Sequence, residues 1–125
     1  MQVANNGRTI LVGEDELEVR GYLEMALKCM GYLVELAQDG DEVLSFVQSS
    51  RSQISAIVLD IMMPNRDGID TLREIRRIDP DLPVIMVSGD SSTLNVVSAM
   101  KSGATDFLCK PVAHEDLSKA LLRAL

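Results

Sequence analysis

Five short apolar runs, Thr9–Val12, Leu33–Leu36, Ala56–Leu59, Val84–Val87 and Thr105–Cys109, are separated by segments whose apolar residues recur at helical spacing. Few architectures accommodate that alternation. In the first intervening segment Val19, Leu23, Ala26, Leu27 and Met30 share one face. The third places Leu72, Ile75 and Ile78 together, the fourth Val96, Ala99 and Met100, and the last Leu117, Ala120, Leu121 and Ala124. Punctuation falls between the patterns: Gly31 follows the first helix, Asp39-Gly40 opens the second, Pro80 stops the third and Gly103 closes the fourth. Five strands and five helices in strict alternation predict an α/β fold, a parallel sheet covered by helices on both faces. A chain of 125 residues, 46% of them hydrophobic, is enough for one core and one domain. We expect that domain over residues 8–125, with residues 1–7 as a disordered lead-in.

Charge narrows the partners. The formal net charge is −7 and the pI about 4.6, so the domain as a whole repels nucleic acid and anionic membrane surfaces. The sequence shows neither a run of about 18 apolar residues nor a basic start followed by an apolar stretch, and a cytoplasmic setting is expected. Cys29 and Cys109 are too few for a disulfide framework, lack metal-ligand spacing, and read as reduced core residues. His114, the sole histidine, reads as a surface residue at the start of the last helix.

The run Ala56-Ile57-Val58-Leu59 stops on Asp60. An uninterrupted apolar run suits a strand buried on both faces, which puts Asp60 at its carboxyl end, on the sheet edge where open α/β folds bind ligands. The other polar residues gather at that edge: Glu14 and Asp15 after the first strand, Ser88 after the fourth, Lys110-Pro111 after the fifth. Three crowded carboxylates repel one another unless a cation is present, and a hard divalent ion such as Mg²⁺ answers that need. Backbone carbonyls of Ile61-Met62-Met63 are candidates to complete the metal shell, and Asp67 is a candidate helix cap. A carboxylate facing both a metal and a lysine can attack phosphorus to give an aspartyl phosphate, and Asp60 is the natural nucleophile.

Together these residues carry a resemblance. Glu14-Asp15, Asp60, Met63-Pro64 with Asp67-Gly68, Ser88 and Lys110-Pro111, in order and at strand ends, resemble the signature of response regulator receiver domains, from Arg8 to the last residue. The segments Ala37-Gln38-Asp39-Gly40-Asp41-Glu42 and Gly103-Ala104-Thr105-Asp106-Phe107-Leu108 match as well. The resemblance implies a flavodoxin-like, doubly wound sheet of five strands in the order 2-1-3-4-5. It implies that Asp60 accepts a phosphoryl group from a phosphohistidine of a sensor kinase or phosphotransfer protein. Asp15, Asp60 and the Met62 carbonyl would bind Mg²⁺ directly, and Glu14 through water. Ser88 and Lys110 would grip the phosphoryl oxygens. Ser88 and Phe107 would then move, reshaping the surface of helix four, strand five and helix five for an output domain, a downstream protein or a second copy. Such a domain is a switch that assists its own phosphorylation and dephosphorylation, without acting as an enzyme on diffusible substrate.

The sequence differs from the commonest members at informative positions. Glu14 stands where aspartate is more frequent, Phe107 where tyrosine is, and Ser88 where threonine is. Met62 offers no polar side chain to guide an attacking water. Other functions fit less well. A flavodoxin-like cofactor binder needs a Ser/Thr/Gly-rich phosphate loop where Gly13-Glu14-Asp15-Glu16 stands, and these acids would repel the anion. Phosphatases that use an aspartyl phosphate often carry a second aspartate at the Met62 position. The remaining alternative is a receiver-shaped interaction module that is never phosphorylated.

Overall fold

The computed structural model describes residues 7–90 and 92–125. The elements follow in the order β1 (Thr9–Gly13), α1 (Leu17–Cys29), β2 (Leu33–Ala37), α2 (Gly40–Ser50), β3 (Ala56–Asp60), α3 (Gly68–Ile78), β4 (Val84–Ser88), α4 (Thr93–Lys101), β5 (Asp106–Cys109) and α5 (His114–Ala124), with a 3-10 turn at Arg51–Gln53 before β3. Except for Gly7, the expected lead-in lies outside the described residues. All strand pairs are parallel, in the order β2-β1-β3-β4-β5. This is the flavodoxin-like sheet the sequence led us to expect.

Strand alternation builds two cores from one sheet. Side chains of successive strand residues point to opposite faces. Ile10, Val12, Ala56, Val58, Ile85 and Val87 pack with Leu23, Ala26 and Leu27 of α1 and Leu117, Ala120 and Leu121 of α5. Leu11, Ile57, Leu59, Val84 and Met86 pack on the other face with Val43, Leu44 and Val47 of α2, Leu72 and Ile75 of α3 and Ala99 of α4. Burial on both faces explains why the three inner strands read as unbroken apolar runs.

Helix boundaries have chemical causes. Asp39 caps α2 by accepting from the Glu42 N–H, and Asp67 caps α3 by accepting from the Asp70 N–H, as its position suggested. Gly31 and Gly103 take positive φ, 95° and 105°, where α1 and α4 end. Two expectations are corrected. Cys29 and Cys109 are free but exposed rather than core, because Cys29 ends α1 on its outer side and Cys109 ends the edge strand β5. In α4 only Ala99 is buried, while Met100 is exposed, so its apolar pattern overstates its packing.

Candidate functional site

Register brings the chemistry to one level of the sheet. Gly13 aligns with Leu59, Asp60 with Val87 and Ser88 with Cys109, so the residues at the carboxyl ends of β1, β3, β4 and β5 meet along one edge. Asp60 falls on the same side of β3 as Ala56 and Val58, toward α1 and α5. Ser88 and Phe107 fall on the other side, toward α4. The edge therefore has a carboxylate side and a hydroxyl–aromatic side.

On the carboxylate side, Glu14 is 0% and Asp60 1% exposed, with Asp15 exposed beside them. Ligand oxygens of Glu14, Asp15 and Asp60 all lie within 4.8 Å of one another. The Lys110 Nζ sits 3.0 Å from Asp60 Oδ2 and 3.0 Å from Glu14 Oε1. Glu16, part of the acidic loop but not among the expected ligands, adds a fourth carboxylate 3.7 Å from the same ammonium. The Glu14 carboxyl is raised to about 7: burial pushes it up most, the Lys110 ammonium holds it back, and the Asp60 charge adds to the rise. Burial pulls the Lys110 ammonium down, but its pairing with the Glu14 and Asp60 carboxylates outweighs that, leaving it raised.

One lysine does not neutralise this cluster. Glu14 Oε1 is buried without a hydrogen-bond partner, its ion pair to Lys110 being misaligned for one. An orphaned carboxylate oxygen beside two further carboxylates is a hard-oxygen donor set, and it fits a small divalent cation. The carbonyl donors can be narrowed. Ile61 has not left the hydrogen-bond network: its N–H donates to Val87 O at 3.1 Å and its carbonyl accepts from the Gly68 N–H at 2.7 Å. Of the three candidate carbonyls, that of Ile61 is thus already engaged by a backbone N–H. The Met62 N–H donates to Asp60 Oδ1 at 3.2 Å, while its side chain is exposed.

The remaining predicted residues fall into place around this centre. Ser88 is fully buried and its Oγ accepts from the Asp90 N–H at 3.0 Å, which orients the hydroxyl at the mouth of the edge. Phe107 is half-buried against the α2–α4 core. His114 is exposed at the start of α5. The β3–α3 loop is tied to the start of α2, with Asn65 Nδ2 donating to Asp39 Oδ2 at 3.3 Å and Arg66 pairing with Asp41 at 3.2 Å. Asn65 takes φ 69°, a conformation asparagine tolerates. Two residues of α1 escaped the sequence reading. Arg20 Nη1 donates to the carbonyls of Glu14 at 3.0 Å and Asp15 at 3.4 Å, and Tyr22 donates to the Val112 carbonyl at 2.7 Å. Their partners are backbone atoms, which no residue pattern marks.

Comparison with known proteins gives this arrangement its class. A family model described as the response regulator receiver domain matches residues 10–122. The response regulator MprA of Mycolicibacterium vanbaalenii is 43% identical over 117 residues, covering 91% of this chain and 50% of that protein. A response regulator receiver domain protein from Clostridium thermocellum superposes with a TM-score of 0.88 at 35% identity, over 93% of this chain and 92% of that one. A CheY from Borrelia burgdorferi, solved in a complex with CheX, BeF3 and Mg²⁺, gives 0.88 at 26% identity, over 92% of this chain and 87% of that one. The chain belongs to the response regulator receiver domain family, the phosphorylation-linked switches of two-component signalling. It spans about half the length of the curated relatives it matches.

Proposed function

We propose that Asp60 is the phosphoacceptor of this receiver domain and that Mg²⁺ occupies the acidic site beside it. The observation that carries this reading is a buried Asp60 at the end of the central strand, with Lys110 Nζ at 3.0 Å and two more carboxylates within 4.8 Å. Asp15, Asp60 and the Met62 carbonyl would hold the ion directly, with Glu14 holding it through water. When bound, Mg²⁺ supplies the positive charge that the cluster lacks and that an incoming phosphoryl group requires.

The chain's own residues do the rest. An Asp60 carboxylate oxygen forms the new bond to phosphorus as the P–N bond of a phosphohistidine breaks, and the leaving imidazole keeps the electron pair. Lys110, its ammonium held on by Glu14 and Asp60, neutralises a phosphoryl oxygen. Ser88 supplies a hydroxyl donor to another. The domain thereby assists its own phosphorylation and the later hydrolysis, for which the exposed Met62 side chain offers no polar guide to water.

Ser88 and Phe107 lie on the α4 side, so movement of the hydroxyl toward the phosphoryl group is transmitted to the α4–β5–α5 surface. Apolar residues exposed on α4, Leu94 at 83% with Val97 and Met100, favour this face as the partner surface. Its occupant is an output domain, a downstream protein or a second copy. The donor is a sensor histidine kinase or phosphotransfer protein, the setting its cytoplasm, and the functional unit residues 8–125. Among the described residues no helix is long and apolar enough to cross a membrane.

Intact mass after incubation with acetyl phosphate tests the reading. The parent gains one phosphoryl group only when Mg²⁺ is present, and Asp60→Asn gains none. A folded parent that stays unmodified with Mg²⁺ bound would leave the receiver-shaped interaction module as the better account.

A further inference from the structure

The three residues between β1 and α1 carry the acidic pair, and their backbone bonds show what holds them. The Glu14 N–H donates to Ala37 O at 3.0 Å, and the Glu16 N–H donates to Glu14 Oε2 at 3.2 Å. The first helical bond runs from the Arg20 N–H to Glu16 O at 2.9 Å, and Glu16 makes no side-chain cap bond. That leaves the carbonyls of Glu14 and Asp15. Both are taken by Arg20 Nη1, at 3.0 and 3.4 Å.

We propose that Arg20 is a positioning residue for the acidic pair, fixing the Glu14 and Asp15 peptide groups so that both carboxylates face the site. The proposal rests on the reading of Glu14, Asp15 and Asp60 as a Mg²⁺ site. Glu14 is walled in by the core and reaches its place from β1, whereas Asp15 is exposed and takes its direction from its backbone. Among the described residues, Arg20 enters no ion pair; its recorded side-chain partners are these two carbonyls. The bond to the part-buried Glu14 carbonyl is the stronger of the two, and the longer, exposed one to Asp15 lets the same nitrogen span successive carbonyls and restrain the peptide between them.

Charge and geometry make opposite predictions here. As a mere cation close to a metal site, Arg20 repels a divalent ion, and its removal would tighten Mg²⁺ binding. As a brace it preorganises the ligands, and its removal weakens binding. The sign of the effect therefore separates the two roles.

The experiment is calorimetric titration of the whole chain with Mg²⁺ for the parent, Arg20→Met, Arg20→Gln and Arg20→Lys, with Asp15→Asn as the ligand control. Urea unfolding without Mg²⁺ identifies the variants that are folded, and Arg20→Gln is read if Arg20→Met is not. We expect loss of the brace to weaken Mg²⁺ by about tenfold, the lower end of the cost of removing an outer-sphere partner. Arg20→Lys, which keeps a charged donor, should recover part of that. At saturating Mg²⁺ the rate of phosphorylation by acetyl phosphate should stay within about twofold of the parent, since the brace acts on metal binding and touches no reacting atom. Unchanged or tighter Mg²⁺ binding in a folded neutral variant overturns the proposal and leaves the metal site standing. A parent that binds no Mg²⁺ overturns both.

Discussion

Glu14 carries the sharpest consequence at the scale of single residues. Its carboxyl is raised from 4.5 to about 7 in the metal-free protein, so between those values the folded state holds a proton that the unfolded state has released. Stability from this group is therefore present below the unfolded value and is lost as pH rises through about 7. Urea midpoints of the metal-free protein should fall across that window, and Glu14→Gln or saturating Mg²⁺ should flatten the fall. A flat profile in the metal-free parent would mean that Lys110 compensates Glu14 completely. Residue identities at this scale were partly legible. The acidic pair, Asp60, Ser88 and Lys110 stood out because polar residues ended apolar runs. Arg20 and Tyr22 did not, because each acts on a backbone carbonyl. The two cysteines misled because composition carries no information about which side of an element a residue ends on.

Elements show why the site depends on one glycine. Gly68 opens α3 directly under Asp60, and a Cβ there would run into the Asp60 carbonyl oxygen and lie 2.7 Å from the Ile61 Cα. Those are backbone atoms and cannot swing aside. Gly68→Ala should therefore cost about 1–3 kcal/mol, as overpacking does, and should slow phosphorylation by displacing the acceptor strand. Thermal unfolding read beside the phosphorylation rate checks both; a variant as stable and as fast as the parent would contradict this packing. The apolar faces of α1 and α5 were readable from spacing, that of α3 from fewer apolar positions, and the Asp39 and Asp67 caps from residue type. Helix α4 was overread: Val96, Ala99 and Met100 follow helical spacing, yet only Ala99 reaches the core. Periodicity reports an apolar face without saying whether a neighbour covers it.

The whole molecule explains why so much was legible. Inner strands β1, β3 and β4 are buried on both faces and must be apolar throughout, so their ends are marked abruptly by the first polar residue. In a parallel sheet those ends fall on one edge, which turns scattered acids, a serine and a lysine into one site. Strand order was not contained in the alternation, which several topologies satisfy; it followed from the resemblance and is the order observed. The account's central claim, that Asp60 accepts the phosphoryl group, is tested most directly by locating the modified residue. Borohydride reduces an aspartyl phosphate to homoserine, which peptide mass spectrometry then places in the sequence. After treatment with acetyl phosphate and Mg²⁺, homoserine should replace Asp60 and appear at no other aspartate. Homoserine at Asp15 with Asp60 intact, or none anywhere in a folded, Mg²⁺-loaded chain, would contradict it.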